Sequence, residues 1–427
     1  MKVLVIGGGV TGITTAYYLA RDGHQVTLLE RGAALAGDCS YANGGMLHVS
    51  HTEPWNSPDV FRQMARWLGR ENAPLRLRPS QLPKLIGWGL GFLRYSQPHH
   101  HRRSLRLNTA LALYSRQQLK ELRAATGIRY DDRQQGIVKI FRDRQVLEKA
   151  RRVSAELEAM GLCHQTLSIT RLIELEPALA DVRHALAGGI YYPDDEAGDC
   201  HLFCQRLGAL AVKLGVDLRL SEQVIALTRS AEGIASVRTD RAVLTADRYV
   251  LAAGVDSPLL SRQLGLKLPI RPVKGYSATL PAAGLPGVPR IPIIDEEHKI
   301  VITRLGDQLR LAGTAEFAGH DRSIPSARVQ AMLRQGLTNL PRYAAAVDSA
   351  SAGSWACLRP MTMDGPPILG ASALPNLFLN TGAGHLGWTF AAGSARAVAD
   401  LVGERRPQLD LAPYSYARFD RRRLASG

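Results

Sequence analysis

At the start of the chain, apolar blocks alternate with glycine-rich turns. Residues 3–6 form a continuous apolar run of strand length, and three glycines follow at once. Val10–Arg21 carries Ala, Leu and Tyr at helical spacing and is closed by Gly23. A second apolar run, Gln25–Leu29, ends at Glu30. A strand, a glycine turn, a helix and a second strand within about thirty residues predict a βαβ unit.

The rest of the chain shows the same two periodicities. Helical spacing of apolar residues predicts helices over residues 104–125, 146–160, 202–214 and 386–402. Short apolar runs predict strands over residues 136–141, 190–192, 249–253 and 300–303. Residues 280–292 are rich in Pro and Gly and predict a turn-rich connection.

The first glycine turn has the spacing of a dinucleotide-binding fingerprint. Gly7, Gly9 and Gly12 follow a predicted strand and open a predicted helix. Gly7 would allow the tight turn, Gly9 a close approach of a pyrophosphate, and Gly12 close packing of helix on strand. Glu30 would bind ribose hydroxyls and would repel a 2′-phosphate, which disfavours NADP. FAD and NAD both remain open, and glycines that only turn a corner are the alternative.

A second glycine turn lies near the C-terminus. Residues 380–387 read NTGAGHLG and lead into the last predicted helix. The N-terminus of a helix presents partial positive charge, which would suit the electron-rich edge of a flavin. An ordinary capped helix is the alternative.

Composition and cysteine usage limit the classes of protein to which the chain can belong. The chain has 427 residues, 45% hydrophobic and 21% charged, which predicts two or three globular domains and excludes disordered and collagen-like proteins. Five cysteines without a C-x-x-C pair favour neither a disulfide scaffold nor a zinc ribbon. The apolar run near the N-terminus is too short for a signal peptide, so we expect a cytoplasmic, reducing compartment.

The net charge of +15 is concentrated in one stretch. Residues 72–120 hold nine basic residues and no acidic one. The apolar run Leu82–Tyr95 within it is shorter than the ~20 residues of a membrane-spanning helix. Contact with an anionic membrane face and an ordinary solvated surface both remain open. No RNA-binding motif or base-stacking aromatic set is present, so no nucleic-acid partner is expected.

Histidines are the remaining candidates for site chemistry. Residues 99–101 are three consecutive histidines without carboxylate or cysteine partners nearby, so we expect an exposed basic loop and no metal site. His48 and His51 follow a glycine-rich loop and could border a cofactor. A lone histidine is more often structural, so neither is included among the candidate catalytic residues.

Several longer motifs resemble those of one enzyme family over residues 1 to about 407. They are Ser40 to Gly45 (SYANGG), Gly198 to Cys200 (GDC), Lys274 to Ser277 (KGYS), Leu358 to Thr362 (LRPMT) with Asp364, Gly365 and Pro367, Leu379 to Gly382 (LNTG), and Leu386 to Thr389 (LGWT). The chain thereby resembles the FAD-dependent D-amino acid dehydrogenases, in the wider group of glycine, sarcosine and D-amino acid oxidases. One departure is that Ala383 stands where the family commonly has His, while His385 follows Gly384.

The resemblance implies an enzyme that oxidises a D-amino acid to an imino acid, which water hydrolyses to a 2-oxo acid and ammonia. The hydride would pass from the α-carbon to flavin N5, and the electrons to a quinone or another carrier. Arg359 would bind the substrate carboxylate through its two-pronged guanidinium. Tyr276 would close the substrate pocket or donate a hydrogen bond, and a buried structural tyrosine is an equal alternative. No general base is required if the amine binds in its neutral form.

The resemblance also implies the FAD-binding residues and the domains. The expected FAD contacts are Gly7, Gly9, Val10, Thr11, Gly12, Glu30, Arg31, Ser40, Asn43, Gly44, Gly45, Val224, Ala253, Gly254, Gly382, Gly384, His385, Leu386 and Gly387. We expect an α/β fold with a Rossmann-like FAD domain of discontinuous segments and a mixed-sheet α+β substrate domain. The FAD domain is predicted over residues 1–60, 195–265 and 350–427, and the substrate domain over 61–194 and 266–349.

Two other functions stay open at this point. One is an oxygen-using oxidase of glycine, sarcosine or another secondary amine, which the same motifs separate poorly from a dehydrogenase. The other is a tRNA-modifying flavoprotein, prompted by the basic charge. Peripheral contact with the inner face of the cell membrane through residues 72–120 remains an alternative to a purely cytoplasmic location.

Overall fold

The structure is a computed structural model, and it describes residues 1–60 and 75–419. The strands of this part are β1 (Lys2–Ile6), β2 (Gln25–Leu29), β3 (Met46–Leu47), β4 (Leu75–Leu77), β5 (Ile137–Phe141), β6 (Gln165–Leu167), β7 (Gly188–Tyr192), β8 (Glu196–Ala197), β9 (Asp217–Arg219), β10 (Val224–Ser230), β11 (Gly233–Thr239), β12 (Val243–Leu244), β13 (Arg248–Leu251), β14 (Ile270–Pro281), β15 (Ile293–Asp295), β16 (Ile300–Leu305), β17 (Gln308–Phe317), β18 (Gly353–Thr362), β19 (Ile368–Ala371) and β20 (Leu377–Thr381). Its α-helices are α1 (Val10–Arg21), α2 (Leu82–Tyr95), α3 (Pro98–Thr126), α4 (Arg144–Glu158), α5 (Ile169–Leu175), α6 (Cys200–Lys213), α7 (Ser257–Gln263), α8 (Ser326–Leu337), α9 (Pro341–Ala346) and α10 (Gly387–Val402).

A six-stranded sheet carries the predicted βαβ unit. Its strand order is β19-β20-β13-β1-β2-β9, and β1 lies parallel to both β2 and β13. Helix α1 packs against α6 and α10 on one face of the sheet. The apolar run of β1 is buried on both faces, because Val3 and Val5 join one core cluster while Leu4 and Ile6 join another. Such double burial is typical of a parallel sheet covered on both sides.

A larger mixed sheet forms the second half of the core. Its strand order is β18-β14-β17-β16-β15-β5-β7-β6, with β4 added beside β17. Most pairs are antiparallel, whereas β5 pairs with β15, and β4 with β17, in parallel. The long strand β14 pairs with β18 from Ile270 opposite Thr362 to Thr279 opposite Gly353. This register pairs Lys274 of the KGYS motif with Leu358 of the LRPMT motif, so the two motifs meet at one residue pair although they are far apart in the chain.

The α/β fold class and mixed sheet are as expected from the sequence. The division into two domains stays a prediction: β18 lies within the segment assigned to the FAD domain, yet it pairs in the larger sheet. Residues 61–74 and 420–427 of the predicted domains, and residues 72–74 of the basic stretch, lie outside the described residues.

Some local expectations need correction. His99, His100 and His101 do not form a loop; they lie in the first turn of α3, which begins at Pro98 because proline suits the first turn of a helix. The last helix begins at Gly387, one residue later than expected. Residues 280 and 281 of the predicted connection belong to β14.

Helix α2 lies on the surface with an apolar face towards solvent. Leu82, Ile86 and Leu90 are spaced four residues apart, and their exposed fractions are 51%, 63% and 65%. On the inner side, Trp88 is buried and its indole N–H donates to Pro269 O at 3.1 Å. Among the described residues, no helix has the length and hydropathy needed to span a bilayer.

Candidate functional site

One large cavity lies where the carboxyl ends of β1, β2, β13 and β20 meet the larger sheet. Its volume is about 1560 Å³, above the roughly 300–1,000 Å³ of common small-molecule sites. Ligands of open parallel sheets bind outside the carboxyl ends of the strands. The cavity therefore has the position and the size for a dinucleotide together with a second, smaller ligand.

The first glycine turn closes one end of this cavity. At Gly7, where φ is +111°, a Cβ would lie 2.6 Å from Ala252 O, and at Gly12 it would lie 1.8 Å from Gly7 O. Only glycine therefore fits either position. At Gly9 an added Cβ would have only Ser40 Oγ within 4 Å, at 3.7 Å, so this position is open on the cavity side.

Glu30 and the start of α1 complete this end. The Glu30 carboxylate accepts hydrogen bonds from Gly8 N and Gly32 N, both at 2.7 Å. It therefore fixes the two loops, and its remaining lone pairs border the cavity. Helix α1 begins without a side-chain cap at Gly9, and Val10 N donates to Ser40 Oγ at 3.1 Å. An uncapped helix N-terminus is an anion-binding element.

The second glycine turn lies on the same cavity. An added Cβ at Gly382 would meet Thr362 Cγ2 at 2.8 Å, and at Gly384 it would meet Met361 Sδ at 2.7 Å, so the turn is packed directly on β18. Helix α10 follows, also without a side-chain cap. All expected FAD contacts line the cavity except Gly12 and Leu386. Gly12 packs against Gly7, and Leu386 is buried in the core.

These features fit FAD. The cavity offers a glycine whose missing side chain leaves room for a ligand, an acid for ribose, and two uncapped helix N-termini at separate places on its wall. The N-terminus of α1 suits a pyrophosphate, and the N-terminus of α10 suits an electron-rich ring.

Arg359 projects into the same cavity from β18. A Cβ added at Gly275 of β14 would lie 2.4 Å from Arg359 Cζ, so the guanidinium rests directly on the bare backbone of its neighbour strand. Arg359 Cζ also lies 5.8 Å from the centroid of the Trp55 ring, within cation–π range. In the described part of the chain, no carboxylate forms an ion pair with Arg359. A guanidinium that borders a cavity and has no internal ion-pair partner can bind an external carboxylate.

Tyr276 has a different environment. It is 2% exposed, and its hydroxyl donates to the Glu316 carboxylate, which also accepts from Arg78 Nε at 2.6 Å. Burial and the adjacent carboxylate raise the pKa of Tyr276. The ring borders the cavity, but the hydroxyl is already engaged by Glu316, so Arg359 is the stronger candidate for substrate binding.

Sequence reasoning included His385 among the expected FAD contacts but left three aromatic residues that line the cavity, Trp55, His48 and His51, out of the candidate site. The Trp55 ring stacks on His385 at 5.4 Å with an interplanar angle of 29°. His385 lies 6.0 Å from His51, and His51 lies 5.4 Å from His48, measured between ring centroids. The only sequence signal was the position of His48 and His51 after the Asn43–Gly45 loop, which does not say where their side chains point.

Burial governs the protonation of these histidines. It lowers the pKa of His48 to about 4 and that of His385 to about 3, and the charge of Arg359 contributes at His385. Burial and the charge of Lys139 also lower the pKa of His51. All three imidazoles are therefore neutral at physiological pH.

Two buried charged residues, Asp195 and Lys139, hold the backbone of the loop that carries His48 and His51. Val49 N and Ser50 N donate to the two carboxylate oxygens of Asp195 at 2.8 and 3.3 Å. Lys139 Nζ donates to Ser50 O at 2.8 Å. Burial raises the pKa of Asp195 to about 6. This buried acid and base hold the loop backbone without entering the cavity.

A family model described as DAO, FAD dependent oxidoreductase, matches residues 2–401. The chain is 44% identical over 420 residues to the D-amino acid dehydrogenase of Paramagnetospirillum magneticum, an alignment that covers 98% of this chain and 99% of the relative. It is 41% identical over 413 residues to the D-amino acid dehydrogenase of Dechloromonas aromatica, which covers 96% of this chain and 98% of that relative.

Solved structures share the fold over nearly the whole chain. The glycine oxidase of Geobacillus kaustophilus superimposes with a TM-score of 0.75 at 24% identity, covering 98% of both chains. The L-proline dehydrogenase of P. horikoshii superimposes with a TM-score of 0.78 at 16% identity, again covering 98% of both chains.

Proposed function

The chain belongs to the DAO family of FAD-dependent oxidoreductases, and on that premise we propose that it is a D-amino acid dehydrogenase. It oxidises a D-amino acid to the imino acid, which hydrolyses to a 2-oxo acid and ammonia. The observation that carries this proposal is Arg359, which lines the cavity that also holds the dinucleotide fingerprint and forms no ion pair with a carboxylate among the described residues. Full-length relatives that bear the same name support it.

Arg359 binds the substrate carboxylate in this proposal. Its planar fork donates two parallel hydrogen bonds, and Gly275 and Trp55 hold the guanidinium from two sides. FAD, held by the two glycine turns and by Glu30, would accept the hydride of the α-carbon. Tyr276 supports the wall of the cavity through its ring.

The histidines of the cavity bear on the protonation state of the substrate amine. Burial keeps His48, His51 and His385 neutral, so none of them holds a proton taken from an ammonium near neutral pH. The same desolvation, with the positive charge of Arg359, disfavours a cationic ammonium on the substrate. The site therefore binds the amine in its neutral form, and catalysis depends on positioning.

A substrate panel tests the proposal. Purified protein loaded with FAD is mixed anaerobically with D- and L-amino acids, glycine, sarcosine and D-proline, and bleaching of the flavin absorption is followed. We expect rapid bleaching by primary D-amino acids and none by their L-enantiomers. Preferential bleaching by glycine or sarcosine would contradict the proposal.

A quinone or another carrier, rather than oxygen, accepts the electrons in this proposal. The test compares oxygen uptake with the reduction of a soluble quinone and of a dye at a saturating D-amino acid concentration. Fast quinone or dye reduction with slow oxygen uptake is expected. Peroxide formation in air at the rate of dye reduction would instead identify an oxidase.

Helix α2 provides the proposed contact with a membrane. The exposed leucine and isoleucine face, Leu82, Ile86 and Leu90, is accompanied by the exposed cations Lys84 and Arg94. An apolar face with basic neighbours matches the interfacial region of an anionic bilayer.

Sedimentation with lipid vesicles tests this contact. We expect binding to vesicles that contain phosphatidylglycerol, weaker binding to phosphatidylcholine alone, and release by salt. Replacing Leu82, Ile86 and Leu90 together by Ser should abolish binding. Val243→Ser is the matched control, since Val243 is 64% exposed on β12. A wild-type protein that stays in the supernatant at low salt would contradict the contact.

A further inference from the structure

Two of the five cysteines meet at the wall of the cavity. Cys39 and Cys357 lie on segments far apart in the chain, yet their thiols are hydrogen-bonded to each other. Cys39 Sγ also lies 3.0 Å from Leu358 O, within hydrogen-bond range of the residue that follows Cys357. Both cysteines are partly exposed and line the cavity, and neither is among the expected FAD contacts. Both thiols are therefore open to a small reagent that enters the cavity.

The backbone of Cys39 is held by its neighbours in the chain. The Asp38 carboxylate accepts a hydrogen bond from Arg322 Nη2 at 2.8 Å. Ser40 Oγ accepts a hydrogen bond from the first backbone N–H of α1 at 3.1 Å. Cys39 thus lies between two anchored residues, and its thiol is kept in place beside Cys357.

Cys357 lies beside the guanidinium that binds the carboxylate in the proposed function. Cys357 and Arg359 are two residues apart on β18, so their side chains point to the same face of the strand. The strand partner of Cys357 is Gly275, and the Arg359 guanidinium rests on Gly275. The guanidinium is therefore directed back along the strand towards Cys357. A displacement of β18 at Cys357 also displaces this guanidinium.

The two thiols differ in their acidity. The hydrogen bond with Cys39 and the charge of Arg359 lower the pKa of Cys357, although burial opposes this effect. The hydrogen bond with Cys357 and burial raise the pKa of Cys39. The thiolate is the nucleophile in cysteine chemistry, so Cys357 is the thiol that reacts first. A cysteine of lowered pKa next to a second thiol is the arrangement of a reversible oxidation site.

We propose that Cys39 and Cys357 are a modification site at which hydrogen peroxide forms a disulfide, and that this disulfide weakens carboxylate binding at Arg359. The Cys357 sulfur attacks one oxygen of the peroxide, the O–O bond breaks, and water leaves. The Cys39 sulfur then attacks the resulting sulfenic acid, the S–S bond forms, and a second water leaves. The two thiols give up two electrons and two protons, which reduce one peroxide molecule to two waters.

The disulfide acts on Arg359 through the strand. An S–S bond is about 2 Å long, so the two sulfur atoms must move closer than in a hydrogen-bonded pair. Because the backbone of Cys39 is held by Asp38 and Ser40, the movement falls on β18. A guanidinium displaced in this way binds a carboxylate more weakly. This second part of the inference rests on the proposed function, whereas formation of the disulfide does not.

Peptide mapping of the FAD-loaded protein tests disulfide formation. Reduced protein is treated with hydrogen peroxide, the excess is removed with catalase, and free thiols are alkylated before digestion. We expect Cys39 and Cys357 in one linked peptide pair that dithiothreitol separates. Cys200 and Cys204 are the matched control: their thiols are also hydrogen-bonded, but both are fully buried and do not line the cavity, so they should stay reduced. A disulfide that is absent, or that forms only in the apoprotein, would overturn the proposal.

Single substitutions test the order of attack. In Cys39→Ser, Cys357 should stop at the sulfenic acid, which dimedone labels. In Cys357→Ser, Cys39 should remain unlabelled, because the hydrogen bond, which Ser also makes, and burial raise its pKa. Cys204→Ser, which removes one thiol of the control pair, should form the disulfide as the wild type does. Equal labelling in Cys39→Ser and Cys357→Ser would overturn this order of attack.

Steady-state kinetics tests the effect on Arg359. The oxidised wild-type protein should have a KM for D-alanine about tenfold higher at equal flavin content, and dithiothreitol should restore it. Peroxide should leave the KM of Cys357→Ser unchanged. A disulfide that does not alter the KM of the wild type would overturn the effect on Arg359. If the disulfide forms but no D-amino acid bleaches the flavin, the proposed function fails and the modification site stands.

Discussion

The two ends of the cavity are built in opposite ways. At the glycine turn, Gly7, Gly9 and Glu30 come from one short segment, and both Glu30 oxygens are already hydrogen-bonded by the backbone. At the other end, Arg359, His51 and His385 come from segments that are far apart in the chain, and no carboxylate of the described residues forms an ion pair with Arg359. The end that carries the dinucleotide fingerprint is therefore built from one short segment, whereas the end that carries Arg359 is assembled by the whole fold.

The largest expected effect comes from removing the guanidinium. Arg359→Ala should raise KM through a loss of roughly 2–5 kcal/mol of binding, because a desolvated carboxylate is left unpaired. Steady-state kinetics with D-alanine measures the change. Arg359→Lys keeps the charge but loses the planar fork, so its KM should lie between those of the wild type and Arg359→Ala. Wild-type kinetics in Arg359→Ala would show that Arg359 does not bind the substrate carboxylate.

Gly7→Ala changes the first glycine turn, at the opposite end of the cavity. The new Cβ would lie 2.6 Å from Ala252 O at a φ of +111°, so the turn must open. We expect a loss of bound FAD and about 1–3 kcal/mol lower stability of the apoprotein. Flavin content and thermal unfolding measure both. Gly23→Ala is the control, because φ is +86° but nothing lies within 4 Å. Equal flavin content in the two variants would contradict the role of the turn.

Gly275→Ala changes the residue on which the Arg359 guanidinium rests. Its Cβ would lie 2.4 Å from Arg359 Cζ, so the guanidinium must move. We expect KM to rise about tenfold while flavin content stays at the wild-type level, since a misplaced guanidinium binds the carboxylate more weakly but is not lost. Gly353→Ala on the same sheet, where the nearest atom is 3.8 Å away, should behave as wild type. Loss of flavin without a change in KM would contradict a role of Gly275 in positioning Arg359.

The smallest expected effect is that of histidine protonation. With pKa values of about 4 and about 3, His48 and His385 stay neutral from pH 5 upwards, so their protonation contributes no change in that range. We expect kcat/KM to rise with pH only as the substrate amine loses its proton. A second inflection near pH 6.5 that disappears in His48→Leu would show a solvated, titrating imidazole instead.

The sequence predicts elements that depend on neighbouring residues, but not contacts between segments that are far apart in the chain. The βαβ unit follows from local periodicity and spacing, and α1 and β2 have the predicted bounds. The engagement of Tyr276 by Glu316 is not visible in the sequence, because it depends on the pairing of β14 with β17. The positions of His48 and His51 depend on Asp195, which lies far along the chain from the loop that it holds. Local turns are therefore predictable, whereas cross-chain contacts and burial require the fold.

In the proposed function, one cavity holds FAD at its glycine turn and the carboxylate of a D-amino acid at Arg359. The most direct measurement is an anaerobic titration of wild-type and Arg359→Ala protein with D-alanine, with flavin content determined beforehand. We expect equal flavin content, bleaching of the wild type at low D-alanine concentration, and bleaching of the variant only at concentrations roughly 30-fold or more higher. A colourless wild-type protein, or two superimposable titration curves, would contradict it.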